Sequence, residues 1–429
     1  MKTRLLALLC ALFLTVSALP VAGAVSNEAT RTADTLATLG FVQGTSKGDY
    51  ALNAPATRAQ AAVLLVRISG REGASKSVPL DRTYTDMPAW AAPAACYAIH
   101  MGWMKPTGKT TFSPNATITA QDWCMALLRM MGYTEFVPEN APLSAQRMGL
   151  ISKLCVDPLP RSVLFQTLLD ALMFPLQDTE KPLIDRLIQE KRVSPVTANA
   201  LGLLSPALTP QQTAARHGAA VFRLECFDSA ENEAEDLPIS GASGFFITHD
   251  GIAVTNFHCI DEAVAANVSL TTGEVFPVEK VLWYNRDMDL ALLKIGQAPH
   301  QPPEIPDPYF ACLDMVSAKW LRPGDPVYTL SYPLGIKLSV TNGIVSTTGQ
   351  VEAHYAQPCI VNTAPISHGS SGGPLMNDRG QVTAVASGTY ILGDSMYLAL
   401  PIDTIQALDL DALKAAGGKT LADFHREIQ

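Results

Sequence analysis

A glycine-rich segment in the second half of the chain has the residue types that nucleophilic catalysis requires. It covers residues 367–374, with the sequence SHGSSGGP. Glycines let a backbone turn sharply, so a serine hydroxyl and successive N–H groups can face one point, where a negative oxygen is held. The Gly-Gly-Pro that follows favours Ser371 over Ser370 as the nucleophile. The N–H groups of Gly369, Ser370 and Ser371 are then the expected oxyanion hole.

A histidine and an aspartate that could activate this serine lie upstream. His258 ends the sequence VTNFH, and Asp289 begins the sequence DLALL. Histidine can accept the serine proton and return it to a leaving group, and a carboxylate can fix the tautomer of the imidazole. Asp287 is an alternative to Asp289, because residues two apart share one face of an extended strand. The register of DLALL favours Asp289.

Short apolar runs separated by turn residues fill residues 213–429, and these elements must position the three side chains. Residues 244–247 and 252–255 flank the sequence HDG, which predicts a β-hairpin. Residues 230–235 are expected to form an acidic loop. The absence of alternating strands and helices disfavours an α/β-hydrolase. Many short strands predict a barrel or a sandwich, and the others are expected at 219–224, 278–283, 290–295, 326–330, 339–346 and 381–387.

The first half of the chain contains an internal repeat. One constant interval separates matched residues: Gly40 and Gly102, Thr57 and Thr119, and Gly70 and Gly132. Such a period indicates supersecondary units that stack and bury a shared core. Each unit is predicted to be a helix, a glycine turn, a short loop and a second helix, with the threonines as N-caps. We expect an all-α module of three copies at about 28–75, 82–135 and 138–175.

The motifs in these copies carry a family resemblance. They are TRAQ at 57–60, YTDMPAWA at 84–91 and LLRMMGY at 127–133. Residues 28–175 resemble the S-layer homology (SLH) repeats of bacterial surface proteins. The resemblance implies non-covalent attachment to a secondary cell-wall polymer, with Arg58 and Arg161 at the position of the polymer-binding arginine. The second copy has Ala120 there, which cannot supply the guanidinium fork. The alternative is a packing module that does not bind wall polymer.

Six motifs in the second half also resemble a known family, and they occur in the order found in that family. They are SGFFI at 243–247, VTNFH at 254–258, DLALLK at 289–294, GDPVY at 324–328, TNGIVS at 341–346 and GSSGGP at 369–374. Residues 213–405 resemble trypsin-like peptidases of the HtrA/Deg type. The resemblance implies two packed six-stranded β-barrels with a catalytic site between them. It also implies a serine endopeptidase in which Ser371 attacks, His258 transfers the proton and Asp289 orients the imidazole.

The same resemblance locates the pocket for the substrate residue that precedes the cleaved bond. Pro365 and Ile366, just before the nucleophile, would line it, and Ser387 and Gly388 would face them from a later strand. Proline cannot pair with a lysine or arginine side chain, and an unpaired buried cation is costly. We therefore expect an apolar pocket and cleavage after small or medium aliphatic residues.

Composition and the N-terminus indicate an exported globular protein. The chain has 429 residues and a net charge of −9, which argues against a general nucleic-acid binder. Residues 1–24 combine basic residues, a short apolar run and an Ala-x-Ala site, which predicts a secretory signal peptide.

No metal or cofactor is expected. Beyond the signal peptide, the odd number of widely spaced cysteines favours buried free thiols over a disulfide framework, and they are Cys96, Cys124, Cys155, Cys226, Cys259, Cys312 and Cys359.

The two halves are joined by a proline-containing segment. Residues 176–212 are predicted to be a partly ordered linker with a helix at 183–190. The residues after Pro401 are too few for a PDZ domain. The sequence thus predicts a multidomain protein in which an all-α SLH module precedes an all-β double barrel at 213–429. Our hypothesis is a secreted, cell-wall-associated serine endopeptidase that acts on unfolded chains. The alternative is a catalytically inactive surface-binding protein that uses the peptidase half as a scaffold.

Overall fold

The computed structural model describes residues 27–44, 49–79, 83–179, 181–204, 207–297, 309–390 and 395–429. The predicted signal peptide at 1–24 lies outside these ranges. Within them, no helix has the length and apolar content needed to cross a membrane. The front part of the chain is helical, and its helices are α1 (Asn27–Thr38), α2 (Arg58–Ile68), α3 (Glu72–Ser75), α4 (Ala92–His100), α5 (Ala120–Met130), α6 (Ala141–Arg147), α7 (Arg161–Met173), α8 (Leu183–Gln189) and α9 (Pro195–Ala200).

Three helix pairs of this module close into a ring. Each predicted copy supplies one pair, α1 with α2, α4 with α5, and α6 with α7. The main contacts join helices of different copies: α2 packs on α4, α5 on α6, and α7 on α1. The helix starts are capped as expected, since the Thr57 side chain accepts from the N–H of Gln60 and that of Thr119 from the N–H of Asp122. Each copy therefore buries its apolar face mainly against its neighbours.

The segment expected to be a linker is folded. Residues 176–212 include α8, α9 and the start of a third helix, α10 (Pro210–His217). Leu183, Ile184 and Leu187 of α8 are buried in the core of the helical module. Pro195 and Pro210 are the first residues of their helices, where the missing N–H costs nothing. Of the prolines that indicated a linker, Pro195 and Pro210 therefore mark helix starts, and Pro206 lies outside the described residues.

The second part of the chain forms two closed antiparallel barrels of six strands each, which confirms the predicted fold class. The first barrel has the order β1-β2-β3-β6-β5-β4, with β1 (Val221–Phe227), β2 (Ser240–Phe246), β3 (Ile252–Thr255), β4 (Ala265–Ser269), β5 (Val275–Asn285) and β6 (Leu290–Ile295). The second has the order β10-β11-β12-β9-β8-β7, with β7 (Pro326–Ser331), β8 (Ser339–Gln350), β9 (Cys359–Asn362), β10 (Pro374–Asn377), β11 (Val382–Thr389) and β12 (Tyr397–Pro401).

Short helices surround the barrels. Residues 230–235, expected to be a loop, contain a helix because the Ser229 side chain caps it by accepting from the N–H of Asn232. These helices are α11 (Ala230–Ala234), α12 (Asp403–Gln406), α13 (Leu410–Ala416) and α14 (Leu421–Ile428). Single 3₁₀ turns lie at Pro138–Asn140, Gly218–Ala220, Phe257–Cys259, Ala318–Trp320 and Pro333–Gly335.

One apolar cluster holds the two barrels together. It contains Phe245 and Val254 from the first barrel and Leu330 and Val385 from the second, all fully buried. The barrels therefore share an apolar interface, in addition to a separate core cluster within each barrel.

Candidate active site

His258 and Asp289 are brought together by strand pairing. His258 lies in the 3₁₀ turn that follows β3, and Asp289 is the residue just before β6. β3 and β6 are antiparallel neighbours, with Thr255 opposite Ala291. The end of one strand therefore lies beside the start of the other, and the two side chains meet there.

The carboxylate of Asp289 binds His258 at two points. Nδ1 of His258 lies 2.8 Å from Oδ2 and 3.0 Å from Oδ1, and the backbone N–H of His258 donates to Oδ1 at 2.9 Å. Asp289 is 6% exposed, whereas the His258 side chain is 46% exposed. With Nδ1 protonated and facing the carboxylate, Nε2 carries the lone pair that can accept a proton.

The structure distinguishes Asp289 from Asp287, the alternative that strand periodicity left open. Asp287 is exposed, and His258 forms an ion pair with Asp289. Asp289 also receives a third donor, because the hydroxyl of Ser387 bonds to Oδ2 at 2.8 Å. Three donors therefore hold the Asp289 carboxylate in one orientation.

The pKa of His258 reflects opposing influences. Burial lowers the pKa of the imidazole, while the neighbouring Cys259 sulfur and the Asp289 carboxylate raise it. The net shift is upward from the ordinary value of 6.5. An imidazolium at this position is therefore stabilised, as a proton-transfer step would require.

The serine segment is tied to the first barrel through Ser243 on β2. The Ser243 N–H donates to the carbonyl of Ser371 at 2.8 Å, and its hydroxyl donates to the carbonyl of Gly369 at 2.7 Å. Gly372 has a φ of +85°, and a Cβ there would lie 2.1 Å from the Ser243 carbonyl oxygen. Only glycine fits this approach, which explains one of the glycines of the motif.

The hydroxyl of Ser371 donates to the carbonyl oxygen of Ser387 at 3.2 Å. Within the described ranges, no hydrogen bond joins the Ser371 hydroxyl to His258. Ser371 is partly exposed, so its side chain has access to the cleft. The three predicted catalytic residues are thus gathered at one site, with the serine hydroxyl turned toward Ser387.

Two of the three predicted oxyanion donors are free of protein acceptors. Among the described residues, no acceptor pairs with the backbone N–H of Gly369 or that of Ser371. The N–H of Ser370 donates to the carbonyl of Ser367 at 2.8 Å. The buried Ser370 hydroxyl accepts from Ser331 Oγ at 3.1 Å and from the Ser367 N–H at 3.2 Å. Ser370 therefore holds the turn, and Gly369 and Ser371 present the donors.

The residues predicted to line the specificity pocket differ in their surroundings. Pro365 is exposed, and Ile366 and Gly388 are partly buried. Ser387 is buried, and its hydroxyl is used by Asp289. Tyr355, which the sequence analysis did not identify, places its hydroxyl 3.0 Å from Ser387 Oγ. No local motif marks Tyr355, because its contact joins distant parts of the chain.

The arginines predicted to bind wall polymer lie in the helical module and are mostly buried. Arg58 is 5% exposed, and its Nε donates to the carbonyl of Phe112 in the second copy at 2.9 Å. Arg161 is 8% exposed, and its Nε donates to the carbonyl of Tyr50 in the first copy at 2.8 Å. Both guanidinium groups therefore bridge neighbouring copies, which favours a packing role.

The cysteines carry free thiols at all seven described positions, and only Cys312 is not buried. Cys226 donates its thiol to the carbonyl of Cys259 at 3.1 Å, and burial raises the pKa of Cys226. No group of histidine, cysteine, aspartate and glutamate within the described ranges could hold a metal ion.

Comparison with known proteins identifies two domains. Residues 242–385 match the trypsin-like peptidase domain, and residues 83–119 match the S-layer homology domain. Serine protease HTR4 of Bos taurus is 32% identical over 212 residues, which is 48% of this chain and 39% of that protein. A probable periplasmic serine endoprotease DegP-like of Marinomonas sp. (strain MWYL1) is 30% identical over 264 residues, which is 59% of this chain and 53% of that protein.

A solved serine endoprotease from Yersinia pestis is also similar. It matches with 22% identity and a TM-score of 0.40, over 49% of this chain and 68% of that chain. The chain spans only part of the length of the two curated relatives, 39% of the first and 53% of the second. The chain therefore combines a trypsin-like peptidase domain similar to HtrA-type serine proteases with an S-layer homology domain.

Proposed function

We propose that this protein is a serine endopeptidase that hydrolyses peptide bonds through an acyl-enzyme. The observation that carries the proposal is the pairing of His258 Nδ1 with the buried Asp289 carboxylate, 2.8 Å apart, beside a serine on a glycine turn. This pairing leaves Nε2 of His258 to act as the base. The similarity of residues 242–385 to trypsin-like peptidases supports the same activity.

The first step begins with the serine hydroxyl. Ser371 Oγ turns away from the Ser387 carbonyl toward His258 Nε2, which takes its proton while Oγ attacks the carbonyl carbon of the substrate. The tetrahedral oxyanion accepts hydrogen bonds from the N–H groups of Gly369 and Ser371. In another serine peptidase, removing one such donor lowers kcat about 10²- to 10³-fold.

The remaining steps use the same proton. The imidazolium of His258, stabilised by Asp289, gives its proton to the departing amine, and the C–N bond breaks to leave an acyl group on Ser371. Water then enters, His258 takes a proton from it, and the resulting hydroxide attacks the acyl carbon. Collapse of the second tetrahedral species returns the proton to Ser371 Oγ and releases the carboxylic acid product.

Covalent labelling tests this proposal directly. The full chain is treated with a fluorophosphonate probe, and the modified peptide is identified by mass spectrometry, alongside hydrolysis of an unfolded protein. We expect modification at Ser371 and no labelling or hydrolysis for Ser371→Ala. Ser367→Ala, at an exposed serine of the same segment, serves as the matched control, and it should still be labelled. Labelling that survives Ser371→Ala would support the inactive-scaffold alternative instead.

The proposed location is the bacterial cell surface. The SLH domain at 83–119 and the predicted signal peptide at 1–24 support a secreted protein held by secondary cell-wall polymer. Co-sedimentation of the full chain with purified wall sacculi tests the attachment. Failure to sediment would contradict wall attachment and leave the peptidase proposal intact.

A further inference from the structure

Three consecutive residues of the β8–β9 loop lie around Asp289, and two of them contact the turn that carries it. Tyr355 bonds Ser387 Oγ at 3.0 Å, the Ala356 N–H donates to the carbonyl of Asp287 at 2.7 Å, and Gln357 Nε2 donates to the carbonyl of Met288 at 3.1 Å. We call residues 355–357 the clasp. It belongs to the second barrel, whereas the turn belongs to the first, so the contacts of Ala356 and Gln357 cross from one barrel to the other. The contact of Tyr355 with Ser387 stays within the second barrel.

The turn needs this support because Asp289 has an unfavourable backbone conformation. Its φ is +53°, in the left-handed region that residues with a Cβ rarely adopt. Three successive carbonyls of the turn are held. The clasp holds those of Asp287 and Met288, and Asn256 Nδ2 donates to that of Asp289 at 2.9 Å. The surroundings therefore fix a conformation that the residue itself disfavours.

The clasp is also linked to the Asp289 carboxylate by a chain of hydrogen bonds through Ser387. A serine hydroxyl has one proton, and that of Ser387 is directed to Asp289 Oδ2 at 2.8 Å. The 3.0 Å contact with Tyr355 must then use the tyrosine proton, with Ser387 Oγ accepting. Burial raises the pKa of Tyr355 above 10.0, which keeps that proton in place. Hydrogen bonds in such a chain strengthen one another.

We propose that the 355–357 clasp positions Asp289 against His258, so that the β8–β9 loop of one barrel sets the basicity of the histidine of the other. Its catalytic consequence rests on the proposed peptidase function. Tyr355 is a positioning residue, since it acts through Ser387. Among the described residues, Cys259 and Asp261 are the other titratable groups that interact with His258, and none of the variants below alters them.

The test compares Tyr355→Phe with a matched tyrosine of the same region. Tyr390 donates its hydroxyl to Glu352, in the same loop but outside the clasp, so Tyr390→Phe is the control.

Peptide hydrolysis gives kcat and KM, and NMR titration of the full chain gives the pKa of the His258 imidazole. We expect Tyr355→Phe to lower kcat about 3- to 10-fold, as loss of one hydrogen bond predicts, with KM within about twofold. The His258 pKa should fall, and Tyr390→Phe should match the wild type.

Two further variants distinguish a loss of activity through the clasp from a loss caused by misfolding. Gln357→Ala removes a clasp contact without touching Ser387 and should lower kcat in the same direction at an unchanged thermal midpoint. Ser387→Ala removes the relay oxygen, so adding Tyr355→Phe to it should cause no further loss. Any of three results would overturn the proposal. Tyr355→Phe could keep the wild-type kcat and His258 pKa, it could change KM alone, or the losses in the double variant could be additive. If the wild type neither labels nor hydrolyses, the peptidase proposal fails, and the imidazole titration still tests the clasp.

Discussion

His258 and Asp289 are joined by two different N–H groups of the histidine. The backbone N–H donates to Oδ1 at 2.9 Å, and the ring Nδ1 lies 2.8 Å from Oδ2. The backbone contact fixes the carboxylate relative to the turn, and the ring contact fixes the tautomer of the imidazole. Asp289 therefore both orients the imidazole of His258 and selects which ring nitrogen is free.

Replacing Asp289 by asparagine should reverse the tautomer. An amide N–H facing Nδ1 would leave the proton on Nε2, where it blocks acceptance from Ser371. We expect Asp289→Asn to lower kcat about 10⁴-fold, as in a serine peptidase with the same triad. Asp287→Asn, at the exposed neighbouring carboxylate, should stay within about twofold. Steady-state hydrolysis of a peptide at neutral pH measures both, and a comparable loss in the two variants would contradict the assignment of Asp289.

The pH dependence of hydrolysis should follow the raised pKa of His258. Burial lowers this pKa, but Cys259 and Asp289 raise it above 6.5. Below its pKa the imidazole is protonated and cannot accept the serine proton, so kcat/KM should fall as the pH drops through that pKa. We expect the midpoint of this acid limb above 6.5, and at lower pH in Asp289→Asn. Measuring kcat/KM from about pH 5 to about pH 10 checks it. A wild-type midpoint below the ordinary value would refute it.

Close backbone approach at Gly372 predicts a large effect of one methyl group. A Cβ there would lie 2.1 Å from the Ser243 carbonyl oxygen and 2.3 Å from Thr255 Oγ1. Gly372→Ala should therefore displace the serine turn and abolish probe labelling. Gly349 is the matched control, because its φ of +78° is similar and no atom lies within 4 Å of its Cβ position. Gly349→Ala should lower stability by about 1 kcal/mol through backbone strain alone and keep full labelling.

The proximity of His258, Asp289 and the serine segment was predictable because the sequence signals are local. The segment at 367–374 and the strand before His258 each carry a motif within a few residues. The choice of Asp289 over Asp287 agrees with the pairing of Thr255 with Ala291, which sets the register of β6. The short apolar runs with turns between them predicted a barrel or a sandwich, and the two six-stranded barrels followed from the family resemblance of the six motifs.

Contacts between distant side chains were not predictable. Tyr355 and Gln357 act across the two barrels, and neither lies in a periodic pattern or a motif. Arg58 was assigned to a ligand from its position in the repeat, but its Nε donates to the carbonyl of Phe112 in the neighbouring copy. The prolines of residues 176–212 indicated a linker because a proline has the same local signature in a linker and at a helix start.

Stability at low pH should depend on His217 at the end of α10. Burial, with a smaller contribution from Arg216, lowers the pKa of His217 to about 4 from 6.5. Between these values the unfolded chain binds more protons than the folded protein, so stability rises with pH in that window and is lost as the pH falls. We expect a loss of about 2–3 kcal/mol on acidification, measured by chemical denaturation.

The variant His217→Gln should flatten this dependence, because glutamine does not titrate. His354→Gln, at an exposed histidine, should leave the profile of the wild type unchanged. An identical pH profile for the wild type and His217→Gln would contradict the assignment.

Cleavage specificity should follow the residues around Ser371. Pro365 and Ile366 precede the serine segment, and Gly388 of β11 is predicted to lie opposite them. None of the three offers an acidic group to a lysine or arginine. Burying such a cation without a partner is costly. We therefore expect cleavage after valine, alanine, isoleucine or leucine in unfolded chains. Because one methylene changes preference only about 10- to 200-fold, the profile should be broad.

Digestion of an unfolded protein, with the new termini identified by mass spectrometry, measures this profile. Ser371→Ala should give no new termini and so excludes a contaminating peptidase. Pro365→Asp would place a carboxylate at the proposed base of the pocket and should increase cleavage after lysine and arginine relative to the parent. A dominant lysine and arginine profile in the unmodified protein, absent in Ser371→Ala, would show that the pocket is misassigned, because an acid must then lie elsewhere in it.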